Sequence, residues 1–138
     1  MADVIYTSFK RDIMNGSIDL DTDTIKVMLV TSSYTPSAAH DKRDDITNEV
    51  SGTGYTAGGA TIGSPTVSNV STNGVFDGSD VAWTTSTITA RGAVLYKSRG
   101  GASSADELIC YLDFVTDKIS TAGTFTIQWN ASGILNLS

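Results

Sequence analysis

Two runs of alternating residues, 88–96 and 108–115, constrain the fold of this chain more than any other feature. From Ile88 to Tyr96 every second residue is apolar or glycine, which is typical of a strand packed tightly on one face and partly wet on the other. Leu108 to Val115 is largely apolar on both faces, which indicates a central strand. Since the connector 98–107 is polar and rich in turn residues, the two strands are predicted to be partners.

The composition fits a single all-β domain. A chain of 138 residues is the size of one ordinary domain, and 40% hydrophobic residues are enough to build a core. Only 17% of the residues are charged, against roughly 25% in an average globular domain. Ser, Thr and Gly make up the difference, and these residues are common in strands and turns.

Residues 3–15 are predicted to form the one helix. Asp3 is the predicted N-cap, and Asn15-Gly16 provides a left-handed stop. The apolar positions recur every four residues, at Ile5, Phe9 and Ile13. A helix this short is marginal alone in water, so this stripe must dock on something. Two interpretations stay open: the stripe covers one end or face of the sheet, or it is a docking handle for a neighbouring subunit.

The rest of the chain contains further strands and turn signals. Thr24–Thr31 is apolar on both faces, Asn73-Gly74 is a hairpin signal, and Val81–Trp83 is a segment separate from Ile88–Tyr96. Thr124–Trp129 alternates cleanly, and Ile134–Leu137 follows as a last strand. Seven or eight strands of this kind predict an antiparallel sandwich or barrel. Of the two we predict the β-sandwich, jelly-roll-like or immunoglobulin-like. We predict one domain over 1–138, with a helix and cap over 1–16 and the sandwich over 24–137.

The net charge and the cysteine content limit which binding partners and which cellular compartment we expect. The formal net charge is −6, which repels phosphate backbones, so nucleic-acid binding is not expected. The single cysteine, Cys110, excludes an internal disulfide and falls on an apolar strand face. The opening residues lack the pattern of a secretory signal, and no apolar run is long enough for a membrane helix. We therefore expect a protein made in a cytoplasm that does not bind membranes.

The titratable residues do not form a recognisable catalytic or metal-binding pattern. His40 is the only histidine and stands in a polar region, without a second ligand or a nucleophile beside it. The alternating aspartates of 19–23 resemble the start of a calcium loop, but Thr24 and Val30 stand where that loop needs Gly and Glu. We expect a protein that is not an enzyme and that holds no metal or cofactor.

Several stretches resemble a group of small virion proteins of tailed bacteriophages. The stretches that carry the likeness are 6–10, 13–36, Asn48-Glu-Val-Ser-Gly-Thr-Gly-Tyr-Thr-Ala-Gly-Gly59, Val81-Ala-Trp83, Ile88-Thr-Ala-Arg-Gly-Ala-Val-Leu-Tyr96 and Gly123-Thr-Phe-Thr-Ile-Gln-Trp-Asn-Ala-Ser-Gly-Ile-Leu135. They span nearly the whole chain. Similar proteins occur as head decoration or cement proteins and as other structural proteins of the virion. The resemblance implies no catalytic residues.

This resemblance implies a capsid decoration protein in the virion that contacts the major capsid protein and assembles as a dimer or trimer. The contacts are predicted in three loops, Ser33–Asp45, Glu49–Gly59 and Ser98–Asp106. Tyr34, Tyr55 and Arg99 are the predicted anchors, because exposed aromatic and Arg side chains are common interface hot spots. Phe9 joins them as part of the helix stripe. The alternatives are a neck or tail protein, or a fibre-associated module that binds host glycan.

Overall fold

The computed structural model describes residues 2–138 as eight strands, one α-helix and two short 3₁₀ turns. The strands are β1 (Val4–Ile5), β2 (Ile25–Val30), β3 (Ala60–Thr61), β4 (Thr66–Val70), β5 (Asn73–Asp77), β6 (Val81–Lys97), β7 (Leu108–Ile127) and β8 (Leu135–Leu137). The helix α1 is Thr7–Met14, and the 3₁₀ turns are Arg43–Asp45 and Ser103–Ala105. Residues 2–138 contain no helical segment of the length and apolarity that a membrane span requires.

The strands form two antiparallel sheets that pack as a sandwich, so the predicted fold class is confirmed. The large sheet has the order β1-β7-β6-β2-β3, and the small sheet has the order β4-β5-β8. The main core includes Val27, Phe76 and Trp83, and Phe9 of α1 belongs to it. A second core lies on the opposite face of the large sheet, where Met28 and Val94 pack with Tyr34. Both faces of the large sheet are therefore buried near its centre.

The two alternating runs are partners, as predicted, and they belong to the two longest strands. Leu95 lies opposite Cys110, and Gly92 lies opposite Asp113. β6 runs without a break from Val81, because β7 continues to Ile127 and the ladder between the two strands extends, with several irregularities, from Val81 to Tyr96. The prediction of separate segments at 81–83 and 88–96 is therefore wrong.

The irregularity of the β6–β7 ladder at Arg91 changes which residues of β6 share a face. The alternation places Ile88 and Val94 on one face, but the ladder is irregular between Ala90 and Gly92. As a result Ile88 and Ala90 belong to the main core together with Leu95, whereas Val94 belongs to the second core. A period-2 pattern cannot register an irregularity of this kind.

The helix begins at Thr7, four residues later than predicted, and Asp3 is not its N-cap. Val4 and Ile5 form β1 instead, because they pair with Tyr111 and Cys110 on the edge of β7. The carboxylate of Asp3 accepts the backbone N–H of Asp113 over 2.7 Å and so holds the start of the chain on the same strand. The predicted end is confirmed: α1 stops at Met14, and Gly16 has the left-handed φ of 80°.

The predicted hairpin between β4 and β5 is present, but its turn lies two residues earlier. Val70 pairs with Asn73, so Ser71 and Thr72 form the turn and Asn73-Gly74 begins β5. Ser71 adopts the positive φ of 56° that the turn needs. This register places Phe76 opposite Val67, with Phe76 in the main core.

Candidate functional site

The three predicted contact loops, 33–45, 49–59 and 98–106, meet at one place, and we call them the loop cluster. Their meeting point is Tyr96 on β6. The guanidinium of Arg43 lies 5.1 Å from the centre of the Tyr96 ring, and the Tyr96 hydroxyl donates to the carbonyl of Gly58. Nε of Arg43 also donates to Asp106 over 2.8 Å. Direct contacts therefore connect three loops that are far apart in the sequence.

Arg99, a predicted anchor, is held at the base of this cluster by two buried carboxylates. Its guanidinium donates twice to Glu107, over 2.7 and 2.6 Å, and its backbone N–H donates to Asp106 over 2.9 Å. The hydrogen bonds from Arg99 hold the pKa of Glu107 below its usual range. The Arg99 side chain is 45% exposed, so it keeps one face available to a partner.

Tyr34 is buried, which corrects the expectation that its loop presents it to solvent. Only 2% of the residue is exposed, and its hydroxyl lies 3.0 Å from that of Tyr6 and 2.9 Å from Nδ1 of His40. Its ring packs edge-on against Tyr111 at 5.7 Å. The physical reason is that the outer face of the large sheet is apolar and needs a cover. Whether Tyr34 takes part in an interface stays a prediction.

Tyr55 is half-buried, and its hydroxyl bonds to groups within the protein. Its hydroxyl donates to Glu49 over 2.6 Å and accepts the backbone N–H of Leu29 over 3.0 Å. Burial and the neighbouring Glu49 carboxylate raise the pKa of the Tyr55 hydroxyl. The ring lies 5.7 Å from that of Trp83. It is therefore a brace between the loop and β2 rather than an exposed ring.

The aromatic residues as a whole are internal. The chain has eleven aromatic side chains, and all of them lie in the described range and are buried or half-buried. Trp129 is one of the half-buried ones, and its indole N–H donates to the carbonyl of Ser79 over 2.8 Å. Glycan binding commonly uses an exposed aromatic ring, and none of the aromatic side chains in residues 2–138 is in the exposed class.

An apolar cleft lies between α1, residues 18–21 and the small sheet, and we call it the cleft. Its volume is about 580 Å³, within the usual range of ligand and peptide sites. The residues that define it are Ile5, Phe9, Ile13, Val67, Phe76 and Leu137. The predicted interface residue Phe9 lies in its wall and is 5% exposed.

The mouth of the cleft leaves large apolar side chains in water. Ile5 is 45% exposed, Val67 51% and Leu137 68%, and all three line the cleft. The helix stripe at Ile5, Phe9 and Ile13 was the sequence signal for this surface. The contribution of the small sheet could not be inferred, because it depends on how the sheet packs beside α1.

A second apolar feature is a protrusion of β7. Ala90 pairs with Lys118 and Gly92 with Asp113, so Arg91 alone faces the four residues 114–117. Within this bulge Val115 has a φ of 71° and is 75% exposed, and Ile119 beside it is 68% exposed. Positive φ is rare for a β-branched residue, which makes the bulge a strained conformation.

The cysteine and the aspartates of 19–23 are used in packing and in local hydrogen bonds. Cys110 is buried in the main core, and burial raises the pKa of its thiol to about 12. The Asp23 carboxylate accepts the backbone N–H of Asp19 over 2.7 Å and pairs with Lys97 over 2.9 Å. Within residues 2–138, no three His, Cys, Asp or Glu side chains are grouped so that they could hold a metal ion.

Comparison with protein-family models, with curated proteins and with solved structures finds no match to this chain. The class that the geometry defines is an antiparallel β-sandwich with one N-terminal helix, a braced loop cluster and an open apolar cleft.

Proposed function

We propose that this chain is a non-enzymatic structural protein of a tailed-phage virion, a head decoration or cement protein that binds the major capsid protein. The observation that carries the proposal is the cleft, since a monomer gains nothing from leaving Ile5, Val67 and Leu137 in water. Contiguous exposed apolar surface in a folded protein marks a place of association. Full burial of a fully exposed side chain of this kind contributes about 1.5–3 kcal/mol, and an assembly can recover the part that corresponds to the surface still exposed.

The loop cluster supports the same role through its internal bracing. The ion pairs of Arg43 with Asp106 and of Arg99 with Glu107 have one buried carboxylate each, with side chains 2% and 5% exposed. Such pairs hold loops in one conformation, because loss of one partner would leave a buried charge. A protein that ties capsomers together under internal pressure benefits from loops of fixed shape, repeated by symmetry.

The charge of the chain also suits a position on a capsid. The net charge of −6 disfavours adhesion to DNA, and the proposed partners are the major capsid protein and further copies of the chain in a dimer or trimer. On this proposal the protein is made in the host cytoplasm and ends in the virion.

The test is to add the purified protein to capsids that lack it and to determine the structure by electron microscopy. Regular occupancy on the icosahedral lattice, with the cleft or the loop cluster against the shell, is the expected result. Density at a single vertex or on the tail would replace the proposal with a neck or tail role. Failure to bind capsids together with binding to a glycan array would overturn it.

A further inference from the structure

The shape of the cleft limits what can cover it. It is a concave surface of about 580 Å³, lined by α1 and by side chains from all three strands of the small sheet. The apolar side chains exposed at its mouth are Ile5, Val67 and Leu137. Two such clefts placed face to face would enclose a void, whereas the cores of protein interfaces are packed as densely as protein interiors. A convex apolar surface is therefore the matching partner.

The chain itself carries a convex apolar surface on β7. Residues 115–119 are five consecutive exposed residues, and we call them the β7 protrusion. Its apolar members are Val115 and Ile119, and neither lines the cleft. Arg91 of β6 faces four residues of β7 at this point, so the longer chain projects from the ladder. Within residues 2–138, β1 pairs with β7 only at 110–111 and leaves the protrusion uncovered.

The backbone of the β7 protrusion is held in a conformation that costs stability. Val115 has a φ of 71°, in the left-handed region that β-branched residues rarely adopt. Its N–H donates to the carboxylate of Asp113 over 2.9 Å, which fixes this turn. The Val115 side chain is exposed, so packing within the monomer does not offset the strain. Because backbone strain is concentrated at functional sites, this conformation indicates a use of Val115 outside the monomer.

The charges of the two surfaces are complementary. Lys118 of the protrusion is exposed and belongs to none of the ion pairs within residues 2–138. Asp19 and Asp21 are exposed and line the cleft, and Lys10 lines it too, so the balance there is negative. The neighbouring Asp19 carboxylate raises the pKa of Asp21 through their hydrogen bond and their like charges. An ammonium group placed beside this pair relieves the repulsion.

We infer that the cleft binds the β7 protrusion of a second copy of this chain. Val115 and Ile119 of one copy enter the cleft of the next, and the Lys118 ammonium faces Asp19 and Asp21. Each copy has one protrusion and one cleft, so the contact repeats and closes into a ring or a reciprocal dimer. This inference rests on the proposed assembly role and names the surfaces that join the copies. It leaves the loop cluster for the capsid protein.

The first experiment measures self-association of the purified protein by sedimentation equilibrium, at concentrations up to about 1 mM. The wild type is expected to associate. Ile119→Lys in the protrusion and Leu137→Lys in the cleft are each expected to weaken association by about tenfold or more. Val70→Lys is the control, because Val70 is similarly exposed and belongs to neither surface. A wild type that stays monomeric, or an Ile119→Lys variant that associates like Val70→Lys, would overturn the inference.

Mixing the two variants separates a protrusion-to-cleft contact from a contact of like surfaces. Ile119→Lys keeps an intact cleft and Leu137→Lys keeps an intact protrusion, so the mixture forms one contact that neither variant forms alone. When ¹⁵N-labelled Ile119→Lys is titrated with unlabelled Leu137→Lys, amide shifts are expected at Gly74 and Phe76, which line the cleft. Titration with unlabelled Ile119→Lys is the control and is expected to leave those amides unchanged. Equal results from the two titrations would contradict the inference.

A third variant guards against a folding defect. Val115→Asn removes the apolar side chain of the protrusion and suits the left-handed φ, so it is expected to retain the stability of the monomer. Its self-association is expected to weaken by about tenfold or more. Weaker association of a variant that is no less stable cannot come from unfolding. Association of Val115→Asn as strong as that of the wild type would exclude Val115 from the contact and overturn the inference.

Other occupants of the cleft give different results. Binding of decanoate at the cleft of a wild type that remains monomeric would identify an apolar ligand as the occupant. Single copies on the capsid with the cleft against the shell would identify the capsid protein as the occupant. Either result would overturn the inference.

The two proposals fail separately. If the protrusion binds the cleft but the wild type leaves capsids bare, the inference about the cleft stands and the virion role fails. If the wild type is monomeric in solution, and Ile119→Lys and Leu137→Lys decorate capsids as fully as it does, the virion role stands and the inference about the cleft fails.

Discussion

The hydroxyl of Tyr55 donates a hydrogen bond of 2.6 Å to Oε2 of Glu49, and the same oxygen accepts the backbone N–H of Gly58 over 2.7 Å. The Tyr55 hydroxyl also accepts the N–H of Leu29 on β2. One phenol therefore ties the start and the end of the loop 49–59 to the large sheet. This bracing gives the loop a defined conformation without a strand of its own.

We expect Tyr55→Phe to lower the free energy of unfolding by about 1–3 kcal/mol, because it leaves a half-buried N–H and a carboxylate without their partner. Urea unfolding followed by fluorescence measures the change. The control is Thr56→Val, which removes an exposed hydroxyl in the same loop and is expected to change stability by less than about 0.5 kcal/mol. Equal effects of the two substitutions would mean that the phenol is not a brace.

The close approach of Gly59 to β2 gives a second prediction. Gly59 has a φ of 79°, and a Cβ at this position would overlap the carbonyl of Val27. Gly100 has nearly the same φ, 80°, with nothing within 4 Å. Gly100→Ala is therefore expected to cost about 1 kcal/mol for the backbone alone, and Gly59→Ala clearly more than that. Thermal unfolding of the pair measures the difference, and similar losses would contradict the close approach.

The elements that the sequence predicts well are those whose neighbours lie along the chain. β2, the partnership of β6 with β7, and the helix stop at Gly16 all depend on local pattern and turn chemistry. The helix start fails at Asp3 because the edge of β7, more than a hundred residues away, captures Val4 and Ile5 as a strand. Tertiary pairing here outweighs the local capping preference.

The candidate site was less predictable for the same reason. The stripe at Phe9 and Ile13 indicates that something packs on the helix, but only the packed structure places Val67 and Leu137 beside it. The burial of Tyr34 was missed because a loop position says nothing about an apolar sheet face that lies above or below it. Exposure of a loop residue depends on which surface the loop covers.

Glu107 gives a prediction for acid pH. Its pKa is lowered in the folded protein by Arg99, so the stabilisation from this carboxylate is present above its unfolded pKa and is lost as the pH falls through the lower folded value. We expect stability to decline as the pH drops below about 4.3. The stability of the Glu107→Gln variant should decline less steeply over the same pH range, as measured by the midpoint of urea unfolding. If the stability of the wild type and of the variant fell in parallel with pH, the ion pair of Arg99 with Glu107 would not contribute to the acid dependence.

Cys110 gives the corresponding prediction at alkaline pH. Burial raises the pKa of its thiol to about 12, whereas the thiol of the unfolded chain ionises near pH ~8.5. Between these values the unfolded state binds fewer protons, so stability falls as the pH rises. Cys110→Ala should be less stable than the wild type at neutral pH but should lose less on going from pH ~8 to ~11. If stability fell with pH as steeply in Cys110→Ala as in the wild type, the alkaline loss would not come from the Cys110 thiol.

The strained bulge of β7 offers a substitution that should stabilise the protein. Val115 holds a φ of 71°, and its side chain is 75% exposed, so Asn, which tolerates this region better, should relieve strain without loss of core packing. We expect Val115→Asn to raise the free energy of unfolding by about 1 kcal/mol. Val70→Asn is the control, because Val70 is similarly exposed but is not among the residues with positive φ, and Asn is a poorer strand former there. A loss of stability in Val115→Asn like that in Val70→Asn would mean that Val115 is held in place by contacts rather than strained. Equilibrium unfolding in urea distinguishes the two cases, since both variants expose similar surface and should keep the wild-type slope.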